Sequence, residues 1–423
     1  MNNEKIKILV LSDHPYAPSG VGIQTNYMVE SLLATERYQF VCVAGAIKHE
    51  DYSPQKTDKW GDDLIIYPVD GYGNQEMIRS LLRTERPDLL WFMTDPRFFG
   101  WLWEIENEIR PLIPMVYYHV WDNFPAPIYN REYYQSTDVI VAISKLTNDI
   151  VKAVAPEVER HYLPHTVPTE IFKRMPDSEV LKHKELSFPN QAAAMEKTIF
   201  FWNGRNARRK QSGTTLVWFK EFLDKVGHDK ACLIMHTDPR DQHGQDLERI
   251  IHDFDMTDGQ VLFSTEKIPP EALAAVYNIA DCTINISDAE GFGLSALESL
   301  ACETPVIVTM TGGLQEQVTD GEQWFGVGIE PSSQAVIGSQ SVPYIYEDRL
   351  NKDDFINALL KIHNMSESER RETGKMGRAH VLNNYGYERY AEEWDSLLME
   401  IHDKYGSWEN RTGYKTWDFT EVK

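Results

Sequence analysis

Two carboxylates eight positions apart, Glu290 and Glu298, flank the run Gly291-Phe292-Gly293-Leu294. Glu290 falls in the loop after the apolar stretch DCTINIS, and Glu298 falls inside the helix that the run opens. Glycine lets backbone N–H groups come close to a ligand. A helix N-terminus favours an anion such as a diphosphate. The two acids can then accept hydrogen bonds from sugar and ribose hydroxyls, one at each end of that ligand. The competing reading is a plain glycine turn with two surface carboxylates.

A second group of residues suits the same chemistry. The stretch Asn203-Gly204-Arg205-Asn206-Ala207-Arg208-Arg209-Lys210-Gln211 follows the apolar run TIFFW. Cations on a glycine turn at a strand's carboxyl end can hold a diphosphate, arginine with a bidentate fork and lysine as a point charge. The run alone leaves open which of Arg205, Arg208, Arg209 and Lys210 would do so. A solvated basic loop is the alternative. Gly20 and Gly22, in Pro18-Ser19-Gly20-Val21-Gly22, lie between the first strand and first helix, where close approach to phosphate is possible; a tight turn accounts for them equally well. His119 ends the strand-like run Tyr117-Tyr118-His119, with Trp121 and Phe124 as aromatic neighbours that stack on an acceptor or fill core. His236, Asp238, Asp241, His243 and Asp246 crowd one polar stretch, but their spacing fits no zinc or calcium pattern. No Asp-x-Asp stands at a strand end. Cations and helix dipoles can neutralise a diphosphate, so no metal and no cofactor is expected.

These residues need a scaffold that gathers strand ends. The expected strands are 5–12, 38–44, 63–68, 88–94, 114–119 and 138–143, with helices at about 22–34, 74–86, 98–109 and 145–154. Short apolar strands alternating with helices imply a parallel sheet covered on both faces. A break at 166–196, with Pro168, Pro176 and Pro189, reads as interdomain chain holding a short helix. A second series follows: strands at 198–203, 231–236, 260–263, 282–286 and 305–309, helices at 212–226, 244–253, 270–279, 293–301, 353–363 and 367–380. Residues 331–346 read as a loop insertion, and 386–403 as an amphipathic helix. The tail 405–423 is either an ordered arm or disordered. The expected domains are thus 1–165, 166–196, 197–380 and 381–423.

At 423 residues the chain is long enough for two or three domains, each with its own core. A net charge of −23 disfavours nonspecific binding to nucleic acid or anionic membrane. No apolar run approaches a membrane span, and no apolar signal core precedes the first strand, so a cytoplasmic location is expected. Cys42, Cys232, Cys282 and Cys302 lie apart in apolar surroundings, as buried reduced thiols do. The aromatic stripe Arg97-Phe98-Phe99-Gly100-Trp101-Leu102-Trp103 can face a bilayer, but Glu104, Glu106 and Glu108 oppose anionic lipid, and such a stripe is more often core.

The Glu-x7-Glu pattern inside EGFGLSALESLACETPVIVT resembles the donor-binding signature of retaining glycosyltransferases of family 4, which have the two-Rossmann B fold (GT-B). Thr309-x-x-Gly312-Gly313-Leu314-x-Glu316 resembles the glycine turn that follows in that family, and Gly204-Arg205 with Lys210 resembles its basic loop, with Gln211 where the family has glycine. The resemblance implies an α/β chain of two Rossmann-like domains facing across a cleft, with the C-terminal helix crossing back to the first. It implies that Glu290 contacts donor-sugar hydroxyls, Glu298 the ribose, and the amides near Gly291, Phe292, Gly293 and Leu294 the sugar or phosphate. His119 would orient the sugar, and the glycine-rich loop with Gly20 and Gly22 would lie at the donor. The implied reaction moves a glycosyl group from a nucleotide sugar, expected to be a UDP- or GDP-sugar, to an acceptor hydroxyl with retention. The acceptor is a glycan, small molecule, lipid or modified base. Rival readings are a transferase acting on modified DNA bases, a nucleotide-sugar epimerase or phosphorylase on the same fold, and a noncatalytic sugar-nucleotide-binding protein. A phosphorylase needs a pyridoxal lysine, for which no motif is present. Glu290, Glu298, Arg205 and Lys210 are all intact, which argues against a decayed site.

Overall fold

Apolar runs flanked by polar turns become parallel strands when helices cover both faces of the sheet. In the computed structural model, which describes residues 5–188 and 197–414, such runs build two separate sheets. The chain divides into two units: Met1–Thr166 with Gly338–Ile345 and Glu388–Lys423, and Val167–Ile337 with Tyr346–Tyr387.

The first unit runs β1 (Ile6–Asp13), α1 (Gly20–Leu33), β2 (Tyr38–Gly45), β3 (Gln55–Lys56), β4 (Leu64–Pro68), α2 (Gln75–Glu85), β5 (Leu89–Met93), α3 (Gly100–Trp103), α4 (Glu106–Ile109), β6 (Met115–His119), α5 (Arg131–Gln135), β7 (Val139–Ala142), α6 (Lys145–Val154) and β8 (Glu159–Tyr162). Its eight strands lie in the order β3-β4-β2-β1-β5-β6-β7-β8. All neighbours are parallel except the β3–β4 pair. The chain builds outward from β1 on one side and then returns to its other flank with β5. In open α/β sheets such a reversal is where ligands bind, outside the carboxyl ends of the strands.

Helix 98–109, expected as one piece, is instead the two short helices α3 and α4. Ile105 leaves helical geometry (φ −114°, ψ 20°). Phe99, Leu102, Trp103, Ile105 and Ile109 are all buried in one core with Phe92 and Tyr117. Burying so many large side chains from a short segment is worth more than an unbroken helical ladder. The aromatic stripe is therefore core in the main, although Phe98 is exposed.

The second unit runs α7 (Asp177–Ser187), β9 (Thr198–Asn203), α8 (Ser212–Val226), β10 (Ala231–His236), α9 (Leu247–Asp253), β11 (Val261–Ser264), α10 (Pro270–Ile279), β12 (Cys282–Asn285), α11 (Leu294–Ala301), β13 (Val306–Thr309), α12 (Leu314–Val318), β14 (Gly326–Ile329), β15 (Ser333–Ile337), β16 (Ile345–Arg349), α13 (Lys352–Asn364) and α14 (Glu367–Asn384). Six strands lie parallel in the order β11-β10-β9-β12-β13-β14. Phe200, Phe219, Leu233, Ile284, Ile307 and Leu359 are completely or almost completely buried in its core. Here too the order reverses, between β9 and β12. The loops after these two strands carry the basic run and the Glu290 run.

The short helix expected in the break is α7, and Pro189 lies outside the described residues. Residues 331–346 are not a plain loop: β15 and β16 pair as a two-stranded sheet. Serine and glutamine mask that pairing in the sequence, because β15 is largely exposed and shows no apolar alternation. Residues 338–345 are counted with the first unit, where Val342 is buried with Trp121 and Ile150.

Helix α15 (Tyr387–Tyr405) is counted with the first unit from Glu388 on. Trp394 is completely buried, with ring centres 5.9 Å from Trp91 and 5.0 Å from Tyr118. Through Tyr414 the tail is an ordered arm. The Trp408 indole donates to the Pro87 carbonyl at 2.9 Å, and Arg411 pairs with Asp138 at 2.8 Å, both side chains almost wholly buried.

Candidate active site

In the second unit, helix α11 starts from Gly293, whose φ of 96° is a left-handed value that glycine adopts without strain. Among the described residues no side chain caps this helix, so its first N–H groups have no side-chain acceptor at the cap. The loop leading into it is pinned by the glycine turn that follows β13. Gly313 N–H donates to the Glu290 carbonyl at 3.1 Å. A Cβ on Gly312 would stand 1.7 Å from that same oxygen. The Gly312-Gly313 pair thus serves the close approach of two backbones, and so fixes where Glu290 sits.

The Glu290 carboxylate accepts from the Lys210 ammonium, from Arg209 Nη1 at 3.4 Å and from Ser287 Oγ at 3.3 Å. Burial works to raise its pKa, but the Lys210 and Arg209 charges outweigh burial and hold it at about 2. Glu298, on α11, accepts from the Tyr277 hydroxyl at 2.7 Å, and Tyr277 accepts from Asn203 Nδ2 at 2.8 Å. Among the described residues no cation pairs with this acid, and burial pushes it up to about 7. The two carboxylates of one motif are therefore held in opposite protonation regimes.

The basic loop is shaped by Asn206, which is buried. Its Nδ2 donates to the Gln245 carbonyl at 2.7 Å, and its Oδ1 accepts from Ser212 Oγ at 2.6 Å. The short turn Arg208–Lys210 then sends Arg208 one way and Arg209 and Lys210 another. Arg208 forks onto Glu347; Arg209 reaches the Ala289 carbonyl at 2.6 Å and Glu290; Lys210 reaches Glu290. Gln211 takes the left-handed conformation (φ 55°), as a glycine there would, and its amide bonds Asp288 at 2.7 Å.

Arg205 stands apart from this group. It is exposed, and it bonds Asp241 at 2.6 Å and His243 at 2.7 Å. The family resemblance offered Arg205 and Lys210 as the pair for an anion; the cations gathered at Glu290 are Lys210 and Arg209. Which members of a basic run face a given carboxylate depends on the phase of the turn, and that is set by the Asn206 bonds.

The remaining candidates lie in the first unit. Gly20 opens α1, and Ser19 caps it, accepting from Gly22 N–H at 3.0 Å and donating to Asp13 at 2.5 Å. A Cβ on Gly22 would meet the His14 and Ala17 carbonyl oxygens at 2.8 Å. His119 has no exposed surface; its Nε2 shares a hydrogen with the Tyr134 hydroxyl at 2.7 Å, and burial drives it down to about 3. It is a neutral imidazole. Trp121 is buried, and Phe124 is partly exposed. The His236–Asp246 stretch disperses: His236 bonds Ser264, Asp241 pairs with Arg205, and Asp246 caps α9. Among the described residues, no three His, Cys, Asp or Glu side chains gather as a metal site would need. No described helix is long and apolar enough to cross a membrane. All four cysteines are buried.

Residues 184–371 match the family model described as glycosyl transferases, group 1. A D-inositol 3-phosphate glycosyltransferase of Acidothermus cellulolyticus is 35% identical over 116 residues, 25% of this chain and 26% of that protein. The chain thus spans about a quarter of the length of this curated relative. Among solved structures, sucrose-phosphate synthase from Thermosynechococcus elongatus aligns with a TM-score of 0.73 at 18% identity, over 95% of this chain and 100% of that one. Anabaena HepE, solved in complex with UDP and glucose, aligns with a TM-score of 0.67 at 13% identity, over 93% and 99%. At such identities the likeness establishes the fold, α/β with parallel sheets, as in these GT-B proteins.

Proposed function

We propose, on the premise that residues 184–371 are a group 1 glycosyl transferase domain, that this protein moves a sugar from a nucleoside-diphosphate sugar to an acceptor hydroxyl, with retention at the anomeric carbon and without a metal. The observation that carries the reading is the meeting of Lys210, Arg209 and Glu290 in the loops after β9 and β12, with Glu298 on the helix that follows. The donor diphosphate takes the Lys210 and Arg209 charges and the N-terminus of α11. Those charges stabilise the leaving diphosphate as the glycosidic bond breaks. Glu290, fully ionised, accepts from the sugar hydroxyls, and Glu298 accepts from the ribose. Arg205 joins only by giving up Asp241. UDP- and GDP-sugars are the donors favoured by this reading. The test is a donor-hydrolysis screen across UDP-, GDP- and ADP-sugars read by mass spectrometry. Turnover of at least one is expected; failure to bind or turn over any of them refutes the proposal.

A further inference from the structure

Strand β16 brings two opposite charges, Glu347 and Arg349, to one face of the two-stranded sheet. Glu347 is buried, 2% exposed, and carries two guanidinium groups. Arg208 grips it bidentately at 2.7 and 2.5 Å, and Arg349 Nη2 donates to it at 2.8 Å. Arg349 Nη1 lies 2.8 Å from Asp288, which is also buried and also accepts from Gln211. Two backbone bonds run alongside: Asp288 N–H to the Arg209 carbonyl at 2.8 Å, and Asp348 N–H to the Asp288 carbonyl at 2.9 Å. The side chains form a closed chain, Arg208–Glu347–Arg349–Asp288–Gln211. Its two ends are the residues on either side of Arg209 and Lys210. Its middle reaches the residue two positions before Glu290.

This arrangement has a mechanical meaning. A guanidinium fork fixes direction as well as distance, which an ammonium does not. A buried carboxylate stripped of its cations is strongly destabilised, so Glu347 holds Arg208 and Arg349 in place. We propose that Glu347 and Arg349 are positioning residues that set Arg209 and Lys210 against Glu290 in the geometry a departing diphosphate needs. The inference rests on the glycosyl-transfer reading, and it gives the β15–β16 insertion a role in that reaction. A misplacement of about 1 Å at a charged site can cost on the order of a hundredfold in rate. The loss falls on kcat more than on donor KM, because the cations matter most as charge develops on the leaving group.

The experiment compares the parent with Arg349→Ala, Arg349→Lys and Glu347→Gln. The probe is whichever of UDP-, GDP- or ADP-glucose the parent hydrolyses fastest, and near-ultraviolet dichroism checks the fold. Arg349→Ala should lower kcat about tenfold or more with a much smaller change in KM, and Arg349→Lys should restore part of it. Glu347→Gln should resemble Arg349→Ala. A purely structural insertion would lower the melting temperature and leave kcat per folded molecule unchanged. If Arg349→Ala does not fold, the other two variants decide. A folded variant pair with kcat within twofold of the parent overturns this inference alone. A parent that hydrolyses none of the probes overturns the functional reading and this inference with it.

Discussion

Glu298→Gln isolates the acid of the site that burial pushes furthest up. The Glu298 carboxyl has an ordinary value of 4.5 and is raised to about 7 by burial, with only the Tyr277 hydroxyl pulling the other way. The folded state therefore disfavours its charged form. Below pH 4 the acid is protonated both folded and unfolded, and it contributes no penalty. As pH rises past the unfolded value the unfolded chain ionises first, and the penalty grows until the folded carboxyl also ionises near 7. Two and a half units correspond to about 3 kcal/mol at most. Glutamine keeps the shape and the Tyr277 bond without that penalty. The unliganded variant should therefore melt several degrees above the parent at pH 8 and close to it at pH 4.5. Ligand binding should run the opposite way. On the proposed reading the ribose hydroxyls donate to the ionised carboxylate, so nucleoside diphosphate binding at pH 6 should release a proton. Calorimetry in buffers of differing ionisation enthalpy reads this directly. Loss of a charge-assisted bond of about 1.5–3 kcal/mol should weaken nucleotide affinity tenfold or more in the variant. A melting difference that stays constant from pH 4.5 to 8, or parent binding with no proton release, would refute the reasoning.

Other outcomes follow from the same geometry. Lys210→Ala and Arg209→Ala should each lower kcat for donor hydrolysis at least tenfold, while Arg205→Ala, whose guanidinium is engaged with Asp241, should cost less; equal losses for Arg205 and Arg209 would contradict the assignment. Activity of the purified protein should survive EDTA; complete loss restored by manganese or magnesium would contradict neutralisation by cations and helix dipole. Gly312→Ala places a Cβ 1.7 Å from the Glu290 carbonyl oxygen, and should lower stability by roughly 2 kcal/mol or more. A thermal melt matching the parent would show that the two loops part without cost.

Most strands were legible because each carries a dense apolar run between polar turns, as KIKILVLS and TIFFWN do. The strands that escaped were peripheral. β8 reads ERHY and β14 reads GVGI, at sheet edges where Ile329 alone of these eight residues is buried. β15 and β16 pair only with each other, so no core imposes a pattern on them. In the site, local motifs located both carboxylates and the basic loop. What they did not contain was contact. That Lys210 meets Glu290 is a pairing across 80 positions, and no spacing rule reaches so far. Arg209 was one of several cations in a run, and only the turn phase told it apart from Arg205. Glu347 lay in a stretch of polar composition, with nothing nearby in sequence to mark it as the anchor of Arg208.

The location of α15 bears on how the protein is made. Trp394 completes the packing of Trp91 and Tyr118, and Arg411 joins Arg110 on Asp138 deep in the same unit. Residues 388–414 leave the ribosome after the whole of the second unit has been synthesised. The first unit is thus begun first and finished last. While the second unit emerges and folds, the β5–β6 region waits with an aromatic surface uncovered, the kind of surface that invites aggregation. The nascent chain is therefore exposed to that hazard until residues 388–414 have emerged and packed onto the first sheet.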